Sequence, residues 1–263
     1  MVKLKNILFR FIFLTFILFL GDRSFSQENL ANTANANIEI IYSDNYLQDN
    51  NELIIGLKFK LTPGWHIYWK NPGDSGLPIQ IDWDLPEGIE FEEILWPAPE
   101  IAPLDPLTSY GYYDEVILPV RFTIDSNFSF ESRFSALLSF LICEEICVPE
   151  DTNILIDFSK FSQAQLDNAS SILKYWLDKL PIEANFIIQT FQSDNTFKIL
   201  WESNSALDSA YFYPEQNGLI NYSSEQILNE SSNGYFLTID KPDQFREEIN
   251  FVSGVLELNN NEK

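Results

Sequence analysis

In Leu53-Ile54-Ile55-Gly56-Leu57-Lys58-Phe59-Lys60-Leu61-Thr62-Pro63-Gly64, apolar side chains return at every second position and the run stops at a Thr-Pro-Gly turn. A repeat of two is that of a strand, whose successive side chains leave opposite faces of a sheet, while Pro-Gly lacks the donor and the conformation to extend the ladder. Working outward, Ile79 to Trp83 and Val116 to Ile124 show the same alternation, and Asn71-Pro72-Gly73, Leu85-Pro86-Glu87-Gly88 and Asp125-Ser126-Asn127 supply further turns. From Ala36 to about Phe158 no helical period intervenes to provide the crossovers of a parallel sheet, so the spacing predicts an all-β, immunoglobulin-like β-sandwich.

The period then changes. Leu166, Ala169, Leu173, Trp176, Leu177 and Leu180 recur at spacings of three and four, which places them on one side of a helix. Ser162 with Gln165 three residues on forms a capping box, and Pro181 cannot continue the ladder, so a helix is expected from about Gln163 to Leu180, as a packed spacer. Alternation resumes at Phe186, Ile188 and Thr190 and at Phe197, Ile199 and Trp201, and further strands fit Ala210 to Tyr213, Tyr235 to Ile239 and Phe251 to Leu258. The expected division is a first sandwich, which holds both cysteines, over residues 27–159, a linking helix over 160–182, and a second, smaller β-sandwich-like domain over 183–263 that includes a polar tail. That second unit contains neither cysteine nor histidine, so its expected role is to position or dock the first.

Lys3, Lys5 and Arg10 surround the start of a nearly unbroken apolar run from Ile7 to Leu20, and Ser24-Phe25-Ser26 places small residues where a signal peptidase reads. The run is shorter than the roughly 20 residues that span a bilayer as a helix, so residues 1–26 read as a cleaved signal peptide, with an uncleaved anchor as the alternative. The remainder is expected in the periplasm, with no direct membrane insertion after cleavage. Removing four basic residues and one acidic residue from 16 and 39 leaves 12 against 38, a net charge of −26. A surface this acidic repels nucleic acid and anionic lipid, and otherwise serves solubility.

Cys143-Glu144-Glu145-Ile146-Cys147 holds the only two cysteines. In an oxidising compartment they should pair. A structural bridge is one reading, but closing a ring of about five residues stabilises by only roughly 2 kcal/mol in the chain-entropy model, against about 4.7 kcal/mol for a loop of 100 residues. A staple between sheets would also join distant strands rather than neighbours. Thiol-disulfide exchange is therefore the other reading. Glu144 and Glu145 disfavour a thiolate beside them, so the oxidised form is expected to serve as the target of a partner's thiolate rather than as a strong oxidant.

Gly64-Trp65-His66-Ile67-Tyr68-Trp69-Lys70-Asn71-Pro72-Gly73-Asp74-Ser75-Gly76-Leu77-Pro78, Trp96-Pro97-Ala98-Pro99, Tyr110-Gly111-Tyr112, Leu118-Pro119-Val120 and Cys143 to Glu150 occur in that order. Together they resemble the N-terminal periplasmic domain of the DsbD thiol:disulfide interchange family, closest to its suppressor-of-copper-sensitivity branch, ScsB. The resemblance implies an immunoglobulin-like module that accepts electrons from a membrane-embedded thiol transporter and reduces periplasmic thioredoxin-like proteins. It also implies that Cys147 forms the mixed disulfide and Cys143 resolves it. Cap-loop shielding of the pair falls to Tyr110 or Tyr112, although Leu107, Thr108 and Ser109 depart from the family's acidic and aromatic residues. His66 and Tyr68 share a strand face where the family's active-site tyrosines lie, which makes both candidate neighbours, with Glu144 and Glu145.

Three competing readings use the same residues. His66, the sole histidine, either tunes exchange by titrating near its ordinary value of about 6.5 or is a plain strand residue. Two cysteines and one histidine fall short of a zinc site, and no cofactor or metal is expected. Gly73-Asp74-Ser75-Gly76 imitates a protease nucleophile segment, but a histidine nine residues away and Leu77 in place of a second glycine fit a turn instead. The rival from another class is a non-catalytic periplasmic adaptor with a structural disulfide.

Overall fold

The computed structural model describes residues 29–48, 51–104, 106–186, 188–243 and 251–259. The expected leader and residues 260–263 lie outside the described residues. Among the described residues, eleven strands precede a helix: β1 (Leu30–Asn32), β2 (Ala36–Gln48), β3 (Glu52–Leu61), β4 (His66–Gly73), β5 (Gln80–Asp84), β6 (Ile89–Ile94), β7 (Glu100–Leu104), β8 (Leu107–Tyr113), β9 (Glu115–Ile124), β10 (Arg133–Cys143) and β11 (Cys147–Asp157). After a short 3-10 turn and helix α1 (Gln163–Leu177) come β12 (Ile188–Gln192), β13 (Thr196–Glu202), β14 (Ser209–Pro214), β15 (Ile227–Ser231), β16 (Gly234–Asp240) and β17 (Gly254–Asn259).

One 5-stranded sheet runs β1-β2-β3-β9-β6, and a 6-stranded sheet runs β11-β10-β4-β8-β7 with β5 beside β10. The two enclose a core in which Leu53, Ile55, Leu57 and Phe59 of β3 face Phe134, Ala136, Leu138, Phe140 and Ile142 of β10. Phe59 and Phe140 meet edge to face at 5.4 Å. This is the all-β, immunoglobulin-like sandwich that period two predicts. The later strands form a 4-stranded sheet β12-β13-β16-β15 and a 2-stranded sheet β14-β17.

Helix α1 begins at the expected capping box of Ser162 and Gln165, but ends at Leu177 rather than Leu180. Asp178 caps it, and the final turn relaxes to Leu180 N–H donating to Leu177 O at 3.1 Å, because a residue before proline is driven out of the helical region. Ala169 and Leu173 pack against Ile41 of β2 and Ile117 of β9. That contact explains why β9 is apolar on both faces: the helix covers its outer side. Gly56 permits the approach, since a Cβ there would stand 2.8 Å from Leu173 Cδ2 and 2.7 Å from Ile117 Cγ2. Among the described residues, no helix is long and apolar enough to cross a membrane.

Candidate thiol-disulfide site

Strands β10 and β11 form a hairpin whose last registered pair is Cys143 opposite Cys147, and the two are joined by a disulfide with Cα atoms 4.1 Å apart. Glu144, Glu145 and Ile146 form the exposed tip, and Ile146 keeps 69% of its surface in solvent. The two cysteines differ in access: Cys143 is 1% exposed, whereas Cys147 is an exposed residue. Glu144 lies over the β3–β4 turn, where a Cβ on Gly64 would come within 3.1 Å of its Oε1.

Cys143 is also registered opposite His66 of β4, and His66 opposite Tyr113 of β8. Residues directly opposite share a sheet face, so Cys147, Cys143, His66 and Tyr113 form one row across the outer face of the sheet. Tyr68, two positions along β4, joins them. Its hydroxyl donates to Cys143 Sγ at 2.9 Å and lies 3.4 Å from Cys147 Sγ. The His66 ring is 5.1 Å from Tyr68 and 5.2 Å from Tyr113.

Burial shapes both ionisable neighbours. His66 is held below its usual range because its surroundings cannot solvate the cation. Burial, opposed by a hydrogen bond with Ser75 and reinforced by Tyr113, pushes the Tyr68 phenol up, so it keeps its proton at neutral pH and remains a donor to sulfur. The ring is covered by the Gly73–Gly76 turn: Gly76 has φ +103°, and a Cβ there would stand 2.2 Å from Tyr68 Cε1. Ser75, the serine of the protease-like segment, is bonded to Ser109, with 3.0 Å between hydroxyls.

The expected shielding by Tyr110 or Tyr112 is not what the structure shows. Both sit one register step out of phase with the sulfur row. Tyr112 is opposite Ile67, faces the core and donates to Pro97 O at 2.8 Å. Tyr110 is fully buried, with its hydroxyl 3.1 Å from that of Tyr211 and its ring 5.1 Å from Tyr213 and 5.5 Å from Tyr222. The aromatic that parity does select is Tyr113, which sequence reading passed over along with Ser75 and Gly76. The missed signal was the alternation itself, because Tyr110 and Tyr112 on one face leave Tyr113 on the other. Among the described residues, no group of three or more His, Cys, Asp or Glu side chains comes together to hold a metal ion.

Residues 40–158 match the family described as "Thiol:disulfide interchange protein DsbD, N-terminal". A solved structure, the N-terminal periplasmic domain of ScsB from Proteus mirabilis, superposes with a TM-score of 0.68 at 16% sequence identity, covering 89% of this chain and 94% of that one. No curated protein matches by sequence. The matched region contains the whole sulfur row, and the matched fold extends through the later strands. Residues 40–158 are therefore similar to the N-terminal domain of the DsbD thiol:disulfide interchange family, and the chain shares its fold with the ScsB domain.

Proposed function

We propose that the chain is an exported periplasmic electron carrier that accepts electrons from a membrane-embedded thiol transporter and reduces thioredoxin-like proteins through Cys143 and Cys147. The reading includes a cleaved leader over residues 1–26, an exchange unit over 27–159, a linking helix over 160–182 and a second unit over 183–263. The observation that carries it is the phenol of Tyr68 within hydrogen-bond reach of both sulfurs, with Cys143 buried and Cys147 exposed.

That asymmetry supports Cys147 as the attacked sulfur and Cys143 as the resolving one. A thiolate of the donor attacks Cys147 Sγ, the bond to Cys143 breaks, and the electron pair leaves on Cys143 Sγ as the new mixed disulfide forms. Tyr68 O–H donates to the departing thiolate, which offsets both its burial and the nearby Glu144 and Glu145. The donor's second thiol then attacks its own sulfur in the mixed disulfide and releases Cys147. The donor ends as a disulfide and this chain as a dithiol. Reduction of a client runs the same steps in reverse, with Cys147 attacking and Cys143 resolving.

Cys143→Ala is the decisive variant. Without the resolving sulfur, Cys147 should remain joined to its partner, so mass spectrometry of periplasmic extract is expected to identify thioredoxin-like proteins in the trapped species. If the folded variant traps nothing and wild-type protein is not reduced by a thioredoxin-like donor, the disulfide is structural and the adaptor reading replaces this one.

A further inference from the structure

The turn that covers Tyr68 has almost no apolar surface with which to hold itself down. It consists of Gly73, Asp74, Ser75 and Gly76, and a segment with so few apolar contacts opens at little cost unless hydrogen bonds strap it. Some of those straps run to β8, where Asp74 N–H donates to Thr108 O at 2.9 Å and Ser109 Oγ donates to Ser75 O at 3.1 Å; others lead into the later strands. Between the pairs Tyr68–Gly111 and Gly73–Ser109 the β4–β8 register slips, and β4 bulges out Trp69-Lys70-Asn71-Pro72.

The bulge is embedded in the second unit. Trp69 meets Tyr213 at 6.4 Å, and Lys70 pairs with Glu215. Asn71 has no exposed surface, and its Nδ2 donates to Pro214 O at 2.7 Å and Gln216 O at 3.2 Å. Its Oδ1 accepts from Gly73 N–H at 3.1 Å, at the first residue of the turn. One residue on, Asp74 Oδ2 accepts from Thr108 N–H and from Ser223 Oγ, each at 2.9 Å. A continuous series of contacts thus runs from Pro214, Gln216 and Ser223 through Asn71 and Asp74 to Gly76, Tyr68 and the Cys143 sulfur.

We propose that the second unit holds the Gly73–Gly76 turn against Tyr68 through Asn71 and Asp74, and so fixes the phenol on the leaving sulfur. The inference rests on the redox reading above and gives the second unit a part in exchange. Asn71 and Asp74 are positioning residues, since neither touches sulfur. The turn covers Tyr68 rather than Cys147, which is already exposed, so loosening it removes the hydrogen bond without improving access for the attacking thiol.

The test uses full-length oxidised protein and dithiothreitol as the probe. Tyr68→Phe should slow reduction about tenfold, the scale of losing a hydrogen bond to a charged sulfur. Asn71→Ala and Asp74→Ala should slow it in the same direction, and neither should slow it further in the Tyr68→Phe background. In the reduced proteins, the ultraviolet absorbance of the thiolate should titrate at higher pH in all three single variants, a shift that general loosening of the fold does not produce. If Asn71→Ala fails to fold, the exposed Asp74→Ala carries the same measurement. Wild-type rates, faster rates, or losses that add to that of Tyr68→Phe overturn this inference while leaving the redox reading intact. Wild-type protein that dithiothreitol cannot reduce overturns both.

Discussion

At the scale of single residues, the site is a row of side chains fixed by strand parity, and its behaviour turns on small groups. Gly76→Ala would place a methyl group within 2.2 Å of the Tyr68 ring at a φ of +103° that side chains rarely adopt. The ring or the turn must move, and we expect a loss of more than about 1 kcal/mol in urea unfolding, together with slower exchange. His66 gives a pH signature. Because burial lowers its folded-state pKa below 6.5, the stability linked to its neutral form is complete above that unfolded value and is lost as pH falls through it toward the folded value. From about pH 8 to about pH 5, wild-type protein should therefore lose stability relative to His66→Gln, measured by paired urea titrations so that the shared effect of the acidic surface cancels. The cysteines were legible in the sequence because thiols announce their chemistry; spacing two put His66 and Tyr68 on one strand face, and the family resemblance made that face a candidate neighbour of the sulfurs. The Gly73–Gly76 turn was legible only as a turn. Its hydrogen bonds reach Thr108 and Ser109, 34 positions on, and Ser223, more than a hundred positions on, which no local pattern encodes.

At the scale of elements, the strands were legible wherever one face meets the core and the other meets water. The alternation in β3 and β10 marks such positions. The helix was legible from its caps, but its partner was not: Leu173 and Ala169 announce an apolar side without saying what it meets. The structure sends that side to Ile41, Gly56 and Ile117, so α1 roofs the 5-stranded sheet. Leu173 is fully buried there, and Leu173→Ala should cost about 2 to 5 kcal/mol by chemical denaturation. The midpoint should shift while the disulfide chemistry stays unchanged, because the helix lies on the opposite sheet from the sulfur row.

At the scale of the whole molecule, the strands before the helix and those after it share an aromatic junction. Tyr110 and Trp69 meet Tyr211, Tyr213 and Tyr222, and burial pushes the Tyr110 phenol far above its ordinary range. Tyr110→Phe leaves the Tyr211 hydroxyl without this partner and should cost about 1 kcal/mol, read as a lowered unfolding midpoint. The Lys70–Glu215 ion pair at the same junction is about one-third exposed on each side, and its removal should change stability by less than about 1 kcal/mol. The sulfur bridge spans only the terminal rung of the β10–β11 hairpin, while the pairs from Arg133–Asp157 to Ile142–Val148 close without it. Dithiol and disulfide forms should then melt within about 8 °C of each other, since a ring this small contributes roughly 2 kcal/mol. In the exchange reading, electrons would enter and leave at the hem of the fabric, and each turnover would leave the weave as it was.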